Sequence, residues 1–223
     1  MDLSKSFEFF DPTKVKEPCY ILGCGSVGSV LATSLVRLGL RNFVLYDFDK
    51  VEAHNIANQA FRDADIGRLK TEALADLMAE INPEVRHTVT IHSEKYEKQP
   101  LKGYVFLCID NIDIRRDICK KQRGNPLIKA VFDFRTGLTE AQCYAAEWGD
   151  LRAVDELIGT MNYTHEEAHE ATPRTACGRE LGVASTVMLC VTYGVVNFVN
   201  YIKGQGLRKV IFTDGFKFDL EAY

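Results

Sequence analysis

CYILGCGSVG, Cys19 to Gly28, decides how this chain folds. Its first half is a short apolar run of the kind that forms a buried strand. Its second half is a glycine loop that opens onto Ser26 to Leu38, where Val27, Val30, Leu31, Leu35 and Leu38 recur at helical spacing. In a strand–loop–helix unit of this type, Gly23, Gly25 and Gly28 have separate uses. They allow a tight turn, close approach of a phosphate to the backbone, and close packing of helix on sheet. The helix N-terminus adds N–H donors and the positive end of a dipole. A second apolar run, Asn42 to Phe48, carries Asp47 near its end, at the usual separation for an acid that meets a ribose hydroxyl. The combination points to a bound nucleotide. It does not choose among NAD, FAD and ATP.

Outward from this unit, strand and helix patterns alternate. Lys70 to Ile81 reads as an amphipathic helix ended by Asn82-Pro83, and Val85 to His92 as a third strand. Tyr104 to Asp110 is a strongly apolar strand, Ile112 to Gln122 a helix, and Leu127 to Phe134 and Gln142 to Trp148 further strands. Alternation with continuous apolar strands predicts an α/β fold: a Rossmann-like, doubly wound, mostly parallel sheet covered on both faces. The rhythm breaks over 149–181, which is acidic and weakly periodic, and is expected to be a long functional crossover loop. A long apolar helix, Gly182 to Ile202, follows. Asp214-Gly215 between apolar flanks then predicts a C-terminal β-hairpin. The chain is expected to be one domain, 1–223.

Composition bounds the partners. The 223 residues carry a net charge of −4, which gives no support to a nucleic-acid role. The N-terminus lacks a basic-then-apolar signal pattern, and polar residues such as Thr192 and Asn197 interrupt the one long apolar run, so no membrane role is expected. Seven cysteines without a Cys-x-x-Cys pair fit a reducing, cytoplasmic compartment.

An ordered set of motifs narrows the reading. DFDKVEAHNIANQ (Asp47 to Gln59), IGRLK (Ile66 to Lys70), INP (Ile81 to Pro83) and CIDNIDIRR (Cys108 to Arg116) follow one another along the chain. This set resembles the adenylating domain of the ThiF/MoeB/ubiquitin-activating enzyme superfamily, and the resemblance covers nearly the whole chain. It is similar to compact members found in bacterial and phage operons. The resemblance implies ATP-dependent adenylation of the C-terminal carboxylate of a ubiquitin-like or sulfur-carrier protein, with Mg²⁺. It implies Asp47 at the ribose, Lys70 at the phosphates, and Asp110 as the catalytic, magnesium-binding acid. Asn55 and Gln59 become neutral contacts around the phosphates, and Arg115 a structural residue. A homodimer and a conjugating enzyme as a further partner are also implied.

Two departures matter. Asn58 stands where the family has an Arg before the Gln, and no N-terminal Arg segment is evident. Arg62, Arg68 or a partner subunit could supply the missing cation. The losses also admit a non-catalytic scaffold subunit, and adenylation of a tRNA or a peptide is a third alternative. Cys177, just before the long helix, is the candidate for thioester transfer, with an ordinary loop thiol as the equal alternative. Arg135 either lines the channel for the tail or makes a structural ion pair. Asp49 reads as a turn or helix cap. His165-Glu166-Glu167-Ala168-His169 matches a zinc-protease pattern, but its polar surroundings favour a short helix capped by Thr164 with Glu167.

Overall fold

The strand before the glycine loop, β1 (Cys19–Leu22), is buried along its whole length and lies between two parallel neighbours. The structure is a computed structural model that describes residues 1–174, 176, 178 and 181–223. From β1 the chain enters α1 (Ser26–Arg37) and returns as β2 (Phe43–Tyr46). α2 (Lys70–Ile81) then leads to β3 (Val89–His92) at one edge. The chain next crosses to the other flank of β1 as β4 (Gly103–Leu107), and α3 (Ile112–Gln122) carries it to β5 (Ile128–Thr136). These strands are parallel. β6 (Glu140–Glu147), β7 (Val210–Asp214) and β8 (Asp219–Ala222) extend the sheet with antiparallel pairings. The order in the eight-stranded sheet is β3-β2-β1-β4-β5-β6-β7-β8.

Alternation of side chains assigns the two faces. Ile21, Leu45, Phe106, Phe132 and Phe134 pack with residues of α1, α2 and α6 (Ala184–Ile202). Leu22, Val105, Leu107 and Val131 pack with α3 and α4 (Leu151–Gly159). Both faces are covered, so successive strand residues must both be apolar. Phe106 stacks on Phe132 with ring centroids 5.3 Å apart, and Phe198 of α6 meets the two edge-on at 5.5 and 5.7 Å. Full burial of each such side chain contributes roughly 1.5–3 kcal/mol. α6 is long and apolar enough to cross a membrane by length and composition. In this fold one side of it is a core element: Gly194 faces Phe134 so closely that an added Cβ would lie 2.1 Å from that ring.

The winding reverses at β1, with β2 on one side and β4 on the other. In open α/β sheets the crevice at the carboxyl ends of such neighbours is where ligands bind. Two expectations are revised. The third strand is shorter than Val85 to His92, because Pro83 starts a 3-10 turn over Pro83–His87, with Asn82 accepting from the Glu84 N–H. The 149–181 segment is also not one plain loop. Asp150 caps α4, whose Ala153, Val154 and Leu157 are buried, and α5 (His165–Ala171) follows. The hairpin is present, with Asp214 accepting from the N–H groups of Phe216 and Lys217 at its turn.

Candidate nucleotide site

The glycine loop is shaped by contacts that exclude side chains. Gly23 has φ +96°, and a Cβ there would lie 2.7 Å from the Cys108 carbonyl. The loop is thereby pressed against the segment that leads from β4 to Asp110. At Gly28 a Cβ would lie 1.9 Å from the Gly23 carbonyl oxygen, so only hydrogen fits where α1 packs on the loop. Gly25 differs: nothing lies within 4 Å of its would-be Cβ. It is also the N-cap of α1 and makes no side-chain capping bond. The first N–H groups of α1 therefore have no side-chain cap among the described residues, which suits an approaching anion.

Asp47 closes this loop from the end of β2. Its carboxylate accepts from Cys24 N–H at 2.7 Å and from Asp49 N–H at 2.8 Å. Burial pushes its carboxyl above the usual value, and these hydrogen bonds and the nearby Lys70 ammonium only partly offset that. Lys70 is the first residue of α2 and is buried, with its Nζ 2.9 Å from Asp49 Oδ2. Main-chain bonds fix the same two segments: Lys70 N–H donates to Asp49 O at 2.9 Å, and Val51 N–H donates to Arg68 O at 2.9 Å. Asp49 is thus the ion-pair partner of Lys70 rather than only a cap.

Asn55 and Gln59 sit in and just after the 3-10 turn Ala53–Ala57, which docks on α1 through Ala60 N–H donating to Ser29 Oγ at 3.0 Å. Asn55 is buried, and its Oδ1 accepts from Glu52 N–H at 2.9 Å. Gln59 Oε1, an acceptor, is buried without a hydrogen-bond partner among the described residues. A buried amide left open in this way is a group that asks for a ligand or a water. Asp110 is exposed beyond the end of β4. Next to it, Asn111 caps α3 by accepting from the N–H groups of Asp113 and Ile114.

The arginines are sorted by the structure. Arg115 is buried and donates to Ile109 O, to Phe134 O and, at 2.7 Å, to Asp133. It ties the Asp110 loop to β5. Arg135 bonds the other oxygen of Asp133 at 2.7 Å and reaches the Thr160 carbonyl at 3.0 Å and its hydroxyl at 2.8 Å. Of the two readings of Arg135, the ion pair is present. Asp133, the fully buried centre of this group, was not singled out from sequence. An acid inside the apolar run VFDF was the available clue. Arg62 is engaged by Asp65 and Glu80, and Arg68 by Asp65 and Asp76. Both cations near Asn58 are therefore already paired.

Cys177 lies outside the described residues. Cys19, Cys24, Cys119, Cys143 and Cys190 are buried, and burial raises each thiol, that of Cys190 to about 12. They are not poised as nucleophiles. The Thr164–Glu167 capping box is present at α5, and no group of three or more candidate ligands for a metal occurs among the described residues.

A sequence profile of the ThiF family matches residues 15–213. The chain belongs to the ThiF family. Its ubiquitin-like modifier-activating enzyme 5 relatives include the Arabidopsis thaliana protein, 46% identical over 65 residues, which covers 29% of this chain and 15% of that one. The Drosophila virilis protein is 35% identical over 115 residues, covering 44% of this chain and 28% of the other. The aligned regions thus span under a third of these relatives. Among solved structures, E. coli MccB with MccA-N7isoASN has a TM-score of 0.74 at 16% identity, covering 95% of this chain and 66% of that chain. PaaA has a TM-score of 0.69 at 16% identity, covering 95% and 65%. MccB has also been solved with ATP. This ThiF-family chain shares their Rossmann-type fold.

Proposed function

We propose that this chain adenylates the C-terminal carboxylate of a protein or peptide tail with ATP. The observation that carries the reading is the buried Lys70 ammonium, held beside the glycine loop and Asp47 at the carboxyl ends of the sheet. A dinucleotide's pyrophosphate is normally met there by the glycine loop and the helix N-terminus. A triphosphate gains further from a fixed ammonium, because its leaving pyrophosphate develops charge that the ammonium stabilises. The unpaired Gln59 Oε1 could accept from a nucleotide hydroxyl or amino group, and the open approach at Gly25 fits a phosphate.

In this reading Asp47 takes the ribose, the α1 N-terminus and Lys70 take the phosphates, and Asn55 and Gln59 contact them as neutral groups. Asp110 is a single exposed carboxylate at a strand end. That donor set suits Mg²⁺ delivered with phosphates, which normally uses one or two carboxylates plus phosphate oxygens and waters. The metal would supply positive charge at the phosphates. A tail carboxylate oxygen bonds to the α-phosphorus, the α–β bridging bond breaks, and pyrophosphate leaves. Holding the two reactants together supplies much of the rate.

The tail belongs to a ubiquitin-like or sulfur-carrier protein, as the family and the activating-enzyme relatives support, or to a short peptide, as the MccB complexes with MccA support. Thioester transfer to Cys177, a cytoplasmic setting, a homodimer and a conjugating enzyme as recipient complete the proposal. The second reading, a non-catalytic scaffold subunit, is favoured by Asn58 and by the engagement of Arg62 and Arg68 with carboxylates. ATP–pyrophosphate exchange with candidate tail peptides separates the two. Exchange that Asp110→Ala abolishes supports adenylation; no exchange with any tail, despite ATP binding, supports the scaffold.

A further inference from the structure

Asp49 does more at this site than end a strand. Lys70 enters the crevice as a buried residue, and an ammonium can donate three hydrogen bonds. Among the described residues one donor is used, on Asp49 Oδ2 at 2.9 Å. The other two are free for a ligand. Asp49 itself is held from three sides. Its N–H donates to Asp47 at 2.8 Å, its carbonyl accepts from Lys70 N–H at 2.9 Å, and its carboxylate meets the Lys70 ammonium. Its side chain is half exposed, so it borders solvent rather than the core.

We infer that Asp49 is a positioning residue for nucleotide binding: it keeps the buried Lys70 ammonium aimed, leaving two N–H donors for phosphate oxygens. A flexible four-carbon stem would otherwise scatter that charge over several rotamers. The same residue links Lys70 to Asp47 through its backbone, so the ribose acid and the phosphate cation are set at a fixed relation before nucleotide arrives. This inference rests on the ATP reading above, and its test separates the two.

The test is a double-mutant cycle on the full chain, read by calorimetric binding of ATP and of inorganic tripolyphosphate. Asp49→Asn is expected to weaken both ligands about tenfold, the scale of a lost charge-assisted hydrogen bond. Asp49→Glu, which keeps the carboxylate, should recover part of that loss. In a Lys70→Met background, Asp49→Asn should change affinity by less than about twofold, because a residue acting through Lys70 has nothing left to act on. A merely structural role would instead lower the melting temperature and weaken binding by the same factor in both backgrounds. Equal factors, or tighter binding in Asp49→Asn, overturn the inference. Coupled binding without pyrophosphate exchange for any tail leaves the inference standing and removes the adenylation reading. A wild-type chain that binds neither ATP nor tripolyphosphate removes both.

Discussion

Two acids in this molecule each grip a pair of arginines, in contrasting settings. Asp133 is fully buried, and Arg115 and Arg135 beside it are 8% and 10% exposed. Asp65 is just as buried, at 1%, but Arg62 and Arg68 are 45% and 36% exposed. The first cluster fastens the Asp110 loop and the end of α4 to β5. The second fastens the loop after Gln59 to α2 through Glu80 and Asp76. The same chemistry thus serves two grades of rigidity. Where both partners are desolvated, the pair cannot be half-broken without leaving a buried charge. Where the arginines reach water, solvent replaces what a mutation removes.

The largest expected effect breaks the buried cluster. Asp133→Ala strands two buried guanidinium groups and should cost about 3–5 kcal/mol, measured by urea unfolding. A loss below about 1 kcal/mol would mean that the two clusters do not differ as argued. Arg115→Met keeps much of the packing but frees the Ile109 carbonyl that pins the Asp110 loop. It should cut pyrophosphate exchange about tenfold or more, beyond what its loss of stability explains, since the proposed catalysis depends on the placement of the Asp110 loop. At the other cluster, Asp65→Ala should cost only about 1–2 kcal/mol, because its partners fall back on water.

That second cluster also has a pH signature. Burial pushes the Asp65 carboxyl up, but hydrogen bonds from Arg62 and Arg68 outweigh it and leave the group below its ordinary value. The folded state therefore releases this proton more readily than the unfolded chain. Its contribution is complete above the unfolded value and fades as pH falls through the depressed one. Asp65→Ala should accordingly show a shallower acid loss of stability than wild type. Asp47 has the opposite sign. Its carboxyl is raised, so its favourable share is present only below the unfolded value and is lost as pH rises through the raised one. On the proposed reading, in which ATP meets this carboxylate, ATP binding should then fall off at a higher pH on acidification than an ordinary aspartate would give, as read by calorimetry across the acid range. The smallest effect is Arg62→Ala, expected to cost below about 1 kcal/mol in the same urea assay.

Legibility in the sequence followed the range of the physics. The strand–glycine loop–helix unit, α2, α3 and α6 were readable because each depends on local periodicity and a local breaker such as Asn82-Pro83. α4 was missed although Asp150 could be seen as a cap. Its acidic exposed face hid Val154 and Leu157, which become apolar contacts only once β6 and α3 lie beneath them. Asp47 was readable as a candidate site residue from its place at a strand end. Asp49 was not, because its partner Lys70 lies 21 positions along the chain.

The sequence by itself determined the α/β class, the glycine loop and the ThiF resemblance, since periodicity, backbone freedom at glycine and motif order are all carried by neighbours in the chain. The tertiary structure alone decided which charges pair: Asp49 with Lys70, Asp133 with Arg115 and Arg135, and Arg62 and Arg68 with carboxylates rather than with the space beside Asn58. Ion pairing acts over a few ångströms of space, and a linear order of residues does not contain those distances until the sheet is assembled.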